Sequence, residues 1–205
     1  MDLRGTEVYL RVSTALQGDY DLISVIQSYG LRVMVDMRFL GTAEELEMQG
    51  MCLLPYRPEI VTVSCASGAK AMRALKEQLP QSEIVGITVP AGFGQSGASE
   101  IFYHDLAGVV DRMADAALEA GIGGLVCSAQ ELGRLSAVYG DVLTLNVDGL
   151  AIGQPVDQVL KAGATRVIVS DIVHSTDARN TVTMLIEEVC GHMMLEGLER
   201  RPMPA

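Results

Sequence analysis

Gly123-Gly124-Leu125-Val126-Cys127-Ser128-Ala129-Gln130-Glu131 is the stretch on which the fold reading turns. Residues 124–128 form a short apolar strand candidate. A longer amphipathic pattern, residues 105–120, precedes it and stops at Gly121, where a left-handed helix cap favours glycine. That pattern places Leu106, Val109, Val110, Met113 and Ala117 on one face. The unit is therefore helix, glycine, buried strand.

Working outward, the same unit recurs. Strand candidates are residues 7–12, 32–39, 60–65, 84–89, 124–128, 142–147 and 166–172. Helical patterns are expected over 69–78, 105–120, 150–162 and 181–198, and Gly30, Gly121 and Gly163 each follow a helical pattern. Strands that alternate with helices imply a parallel sheet with right-handed crossovers. Continuous apolar strands imply a sheet covered on both faces. The regular repeat, with no shift in composition, favours a barrel over an open sheet. The expectation is an α/β fold, a TIM-type β/α barrel in one domain spanning residues 1–205. A complete barrel has eight strands. Seven are counted here, and the missing one would precede Glu7.

Composition narrows the function. The chain has 205 residues, a formal net charge of −11 and 49% apolar residues. The charge argues against nucleic acid, which needs a basic face. No apolar run reaches the roughly 18 residues of a membrane helix. The N-terminus lacks the apolar core of a signal peptide, so a cytoplasmic location is expected. Cys52, Cys65, Cys127 and Cys190 show no CxxC spacing and read as buried thiols. The eleven methionines read as adaptable core filling.

Barrel chemistry sits at the C-terminal ends of strands. That rule selects Arg11, Asp36, Arg38, Ser64, Cys65, Pro90 to Gly97, Cys127, Ser128, Asp148, Gly149, Ser170, Asp171 and His174. Gly92-Phe93-Gly94-Gln95-Ser96-Gly97 spells GxGxxG, but the helical pattern after it begins nearer Ile101. A dinucleotide fingerprint needs a helix opening at once. The stretch reads instead as a mobile glycine-rich loop over the mouth. His174 reads either as an acid/base group beside Asp171 or as an exposed loop histidine. His104 and His192 fall in helical stretches and read as structural or solvated.

Three stretches carry a resemblance to the orotidine 5′-phosphate decarboxylases. Residues 123–131, quoted above, resemble the family's sixth strand nearly word for word. Ala162-Gly163-Ala164-Thr165-Arg166-Val167-Ile168-Val169 resembles its eighth. Val33-Met34-Val35-Asp36-Met37-Arg38-Phe39 resembles its third, which usually reads Asp-x-Lys-x-x-Asp. Thr62-Val63-Ser64-Cys65-Ala66 sits where the family has Thr-Val-His-Ala, and Gly86-Ile87-Thr88-Val89 where its fifth strand lies. The resemblance covers essentially the whole chain and starts at the family's second strand.

It implies a lyase of pyrimidine biosynthesis that decarboxylates with a Lys-Asp-Lys-Asp array and no metal or organic cofactor. The carboxylates crowd the substrate carboxylate, and a lysine protonates the carbanion. Position by position, Arg11 matches the lysine that ends the second strand, Asp36 the first aspartate, and Arg38 the central lysine. Gly41 stands for the second aspartate, Ser64 for a histidine, Gly92 for a serine that touches the pyrimidine, and Asp171 for the arginine that grips phosphate. Ser128, Gly149, Ser170 and His174 complete the expected ligand-binding set. The seventh loop, from Asn146 to Asp157, is short. Its length resembles that of hexulose-phosphate synthases and keto-gulonate-phosphate decarboxylases, whose acidic metal ligands are not reproduced. The resemblance also implies a homodimer across the barrel mouths, with Glu44 and Glu45 near the partner, and a small phosphorylated ligand.

Two readings of the site stay open. Arg11, Asp36 and Arg38 form either a ligand clamp or an internal ion-pair network. The second would need more than one carboxylate to balance two arginines. Two readings of function also stay open: a lyase acting on a pyrimidine nucleotide or sugar phosphate, and a non-catalytic paralogue that serves in ligand binding or assembly.

Overall fold

A computed structural model describes residues 8–13, 19–90, 92–150, 156–169, 177 and 180–189. Seven parallel strands pair in sequence order: β1 (Tyr9–Val12), β2 (Arg32–Phe39), β3 (Ile60–Ser64), β4 (Glu83–Ile87), β5 (Gly124–Cys127), β6 (Thr144–Leu150) and β7 (Arg166–Val169). The helices are α1 (Asp21–Ser28), α2 (Ala43–Leu53), α3 (Gly68–Gln78), α4 (Gly94–Phe102), α5 (Leu106–Ala120), α6 (Ala129–Tyr139), α7 (Val156–Lys161) and α8 (180–189). The sheet is rolled, because side chains of β1 meet those of β6 and β7.

Alternation along each strand sorts the core into two clusters. Met34, Ile60, Val85, Ile87, Val126 and Ile168 pack together inside the roll, with Tyr9 against them. Val33, Val35, Val61, Val63, Leu125, Leu145 and Val147 pack with the helices. The inner cluster lies between two polar layers. Its floor is built by the first residues of five strands. Arg166 pairs with Glu83 at 2.6 Å and donates to Asn146 at 3.2 Å, and Thr144 donates to Glu83 at 2.5 Å. The Tyr9 ring lies 5.5 Å from the guanidinium carbons of both Arg32 and Arg166. Tyr9 thus ties β1 to β2 and reaches β7, whose backbone is not hydrogen-bonded to β1. Side chains span the seam where an eighth strand would lie.

α1 is the helical pattern expected before Gly30, whereas three helices fall outside the expected set: α2, α4 and α6. The glycine-rich stretch is not a loop, because α4 begins at Gly94. Its Ala98 is fully buried and Phe102 packs on the core, so tertiary burial outweighs the poor helix propensity of two glycines. His104 lies in a bend between α4 and α5, not in a helix. Leu150 ends β6 instead of opening α7, and Cys65 begins a turn of 3-10 helix after β3. Gly30, Gly121 and Gly163 all take positive φ, as their cap positions require. Among the described residues no helix is long and apolar enough to cross a membrane.

Tyr9→Leu removes two cation–π contacts and the 3.2 Å bond from Arg32 to the phenol, which costs about 2 kcal/mol in urea unfolding. Tyr9→Phe keeps the ring and costs about 1 kcal/mol. Equal costs for the two would show that the ring does not hold the seam.

Candidate functional site

The C-terminal ends of the strands gather two arginines and two aspartates. Arg11 Nη1, from β1, lies 3.5 Å from Asp36 Oδ2 on β2, and 3.3 and 3.4 Å from the two carboxylate oxygens of Asp148 on β6. Arg38, two residues beyond Asp36, reaches Asp36 through Nε at 3.7 Å and Asp148 through Nη2 at 3.7 Å. Cation and anion alternate around a square of two positive and two negative charges. Asp36 is buried at 7% exposure, while the Arg38 side chain is 48% exposed.

Backbone irregularity aims these side chains. The β2–β3 register jumps from Val35–Val61 to Phe39–Val63, so β2 bulges through Asp36 and Arg38. Arg38 sits at φ +50°, a left-handed conformation that is strained for a long side chain. Thr62 holds the bulge. Its buried hydroxyl donates to Asp36 Oδ1 at 2.8 Å and accepts the Arg38 N–H at 3.2 Å. On β6 the register jumps from Val147–Val167 to Leu150–Val169, with Gly149 at φ +87°. Asp148 stands in that bulge, and the Gly149 N–H donates to its Oδ1 at 2.9 Å. Each carboxylate of the square is therefore set by a bulge.

Two cavities open at the mouth. A small one, about 150 Å³, is lined by Arg11, Asp36, Arg38, Gly92, Cys127 and Asp148 among others. A larger one, about 410 Å³, is lined by Pro90, Gly94, Ser128, Glu131, Asp148 and Gln158 among others. Asp148 borders both.

The expected residues divide clearly. Arg11, Asp36 and Arg38 come together. Gly92 lines the small cavity, and Ser128 and Gly149 the large one. Ser64 caps the turn after β3, its hydroxyl accepting the Ala66 N–H, and lines neither cavity. Ser170, Asp171 and His174 lie outside the described residues. Sequence reasoning assigned no role to Asp148 or Thr62. The signal for Asp148 was available, since two arginines require more than one carboxylate and Asp148 follows the strand expected over residues 142–147. Glu131, 8% exposed, accepts from both the N–H and the hydroxyl of Ser128 at the start of α6. Cys65 and Cys127 are packing thiols. Burial pushes each up to about 12, so neither is a thiolate nucleophile near neutral pH.

The profile of the orotidine 5′-phosphate decarboxylase / HUMPS family matches residues 5–178. The chain belongs to that family. It is 24% identical over 194 residues to an orotidine 5′-phosphate decarboxylase of Prochlorococcus marinus, covering 82% of this chain and 79% of that protein. It is 25% identical over 124 residues to one from Thermosynechococcus vestitus, where it spans 53% of that protein and the match covers 58% of this chain. In structure it superposes on the orotidine 5′-phosphate decarboxylase of Lactobacillus acidophilus with TM-score 0.78 at 17% identity, covering 88% of this chain and 86% of that one. An uncharacterized conserved protein from Geobacillus kaustophilus also gives 0.78, at 20% identity, covering 91% and 90%. These structural likenesses establish the fold.

Thr62 supplies the test of the site. Thr62→Val keeps the shape and removes both hydrogen bonds, leaving a buried carboxylate short of a donor. The expected loss is about 2 kcal/mol in chemical denaturation. Thr62→Ser keeps the hydroxyl and loses about 1 kcal/mol or less, the worth of one methyl. A valine variant as stable as the serine variant would remove Thr62 from the site.

Proposed function

We propose that this family member does not decarboxylate orotidine 5′-phosphate and serves instead as a ligand-binding barrel. The carrying observation is the closed square of Arg11, Asp36, Arg38 and Asp148. Family decarboxylation, as the resemblance implies it, needs a lysine at the mouth to protonate the carbanion. The chain has three lysines, Lys70 and Lys76 on α3 and Lys161 on α7, and none ends a strand. Lys76 is bonded to the Gly121 carbonyl and Lys161 is paired with Asp157. A guanidinium holds its proton far more tightly than a lysine ammonium and does not release it readily. The position of the second aspartate is Gly41, which brings no carboxylate.

The rival reading, a lyase for a pyrimidine nucleotide or sugar phosphate, draws support from the retained Asp36 and the open 410 Å³ cavity. The assay that separates the two follows loss of orotidine 5′-phosphate absorbance with purified protein, beside an Asp36→Ala control. Turnover is expected to fall more than about 10⁴-fold below a working decarboxylase, because array members act as a unit. Rapid turnover that Asp36→Ala abolishes would overturn the proposal.

The same reading carries a homodimer across the mouths. Leu40, after β2, and Phe93, after β4, are exposed apolar side chains on that side of the roll. Sedimentation is expected to give a dimer at micromolar concentration, shifted toward monomer by Leu40→Glu. A wild-type monomer would remove this part of the proposal.

A further inference from the structure

We infer that Asp148 is a built-in anion. Its carboxylate fills the place between Arg11 and Arg38 where a ligand carboxylate would otherwise bind, and so selects against ligands that bring a negative charge to that point. The inference does not depend on whether the barrel turns over a substrate.

Four observations carry it. Both oxygens of Asp148 face Arg11 Nη1, at 3.3 and 3.4 Å, and one also faces Arg38 Nη2 at 3.7 Å. A single carboxylate thus engages both guanidinium groups, as a bound carboxylate ligand would. The carboxylate is held in place by the Gly149 N–H at 2.9 Å, and the chain there follows a bulge that needs the positive φ of Gly149. Asp36 is the separate, scaffold carboxylate, fixed from its own side by Thr62. Asp148 alone of the four charged groups lines both cavities, so it stands where the small charged cavity meets the larger one.

Charge decides the consequence. With Asp148 present, the square is balanced, and an arriving anion meets a carboxylate already in the favourable position. Without it, Arg11 and Arg38 lose a carboxylate that engages both of them, and the space vacated matches a one-carbon carboxylate. Ligands that fit the intact mouth place N–H or O–H donors, not an anion, against Asp148, with the rest of the molecule in the 410 Å³ cavity.

Formate is the probe. Asp148→Ala is expected to melt below the wild type in chloride and to recover by about 4 °C in formate at roughly ten times its dissociation constant. Equal concentrations of formate and chloride hold ionic strength fixed. The wild type is expected to move by less than about 1 °C, within ordinary salt effects. Adding Arg11→Gln to Asp148→Ala is expected to abolish the recovery. An Asp148→Ala protein that responds to formate no more than the wild type would overturn the inference. A second reading needs no variant. The Arg38 Nε–H resonance of the wild type is expected to stay fixed as formate is added. A saturable shift would show that the position is open to outside anions and would equally overturn the inference.

Discussion

Two guanidinium groups project into one end of a strand-lined roll, and neutralising them constrains the rest of the mouth. Even partly withdrawn from water, a charge is costly unless it is paired and hydrogen-bonded. Arg11 and Arg38 come from adjacent strands, so one aspartate between them cannot balance both. The second carboxylate arrives from β6, on the far side of the roll. Its arrival depends on a bulge in β6, as the placement of Asp36 and Arg38 depends on a bulge in β2. The strained backbone at Arg38 persists because Thr62 and the ion pairs hold it from several directions.

The opposite end of the roll solves a related problem with different chemistry. Seven strands leave the edges of β1 and β7 without backbone partners for each other. At the floor, Tyr9 lies between Arg32 and Arg166, and Glu83 neutralises Arg166. At the mouth, Arg11 reaches past the seam to Asp148. An apolar middle layer of Met34, Ile60, Val85, Ile87, Val126 and Ile168 separates the two polar ends. The seam is bridged by side chains, so residues that shape the mouth also help to close the fold. The mouth thus pairs its two arginines with two aspartates, one from each side of the seam.

Much of this was legible from the chain. The expected β2 range agrees with the strand found, and Val109, Val110, Met113 and Ala117, singled out in the sequence, lie on the buried face of α5. The strand resemblances led to the right family, and the strand-end rule picked out Arg11, Asp36 and Arg38, which lie together at the mouth. The misses have physical causes. α4 carries Gly94 and Gly97, and only burial of Ala98 reveals it. α2 places Met48 and Met51 in solvent, which blurs its apolar stripe. Asp148 and Thr62 acquire their roles through bulges and through contacts between strands far apart in sequence, which no local pattern records. Ser64 was chosen for its position at a strand end, yet its hydroxyl is used in a local turn.

Asp148 and the arginines form one electrostatic unit, and a double-mutant cycle measures the coupling directly. The wild type, Arg11→Gln, Asp148→Asn and the double variant would be unfolded in urea under identical conditions. The side chains of Arg11 and Asp148 are 24% and 22% exposed, so solvent screens them in part. The account predicts a favourable coupling energy of about 1 kcal/mol or more, at the upper end for partly exposed ion pairs. Single-variant costs that add to within about 0.3 kcal/mol of the double variant would contradict it.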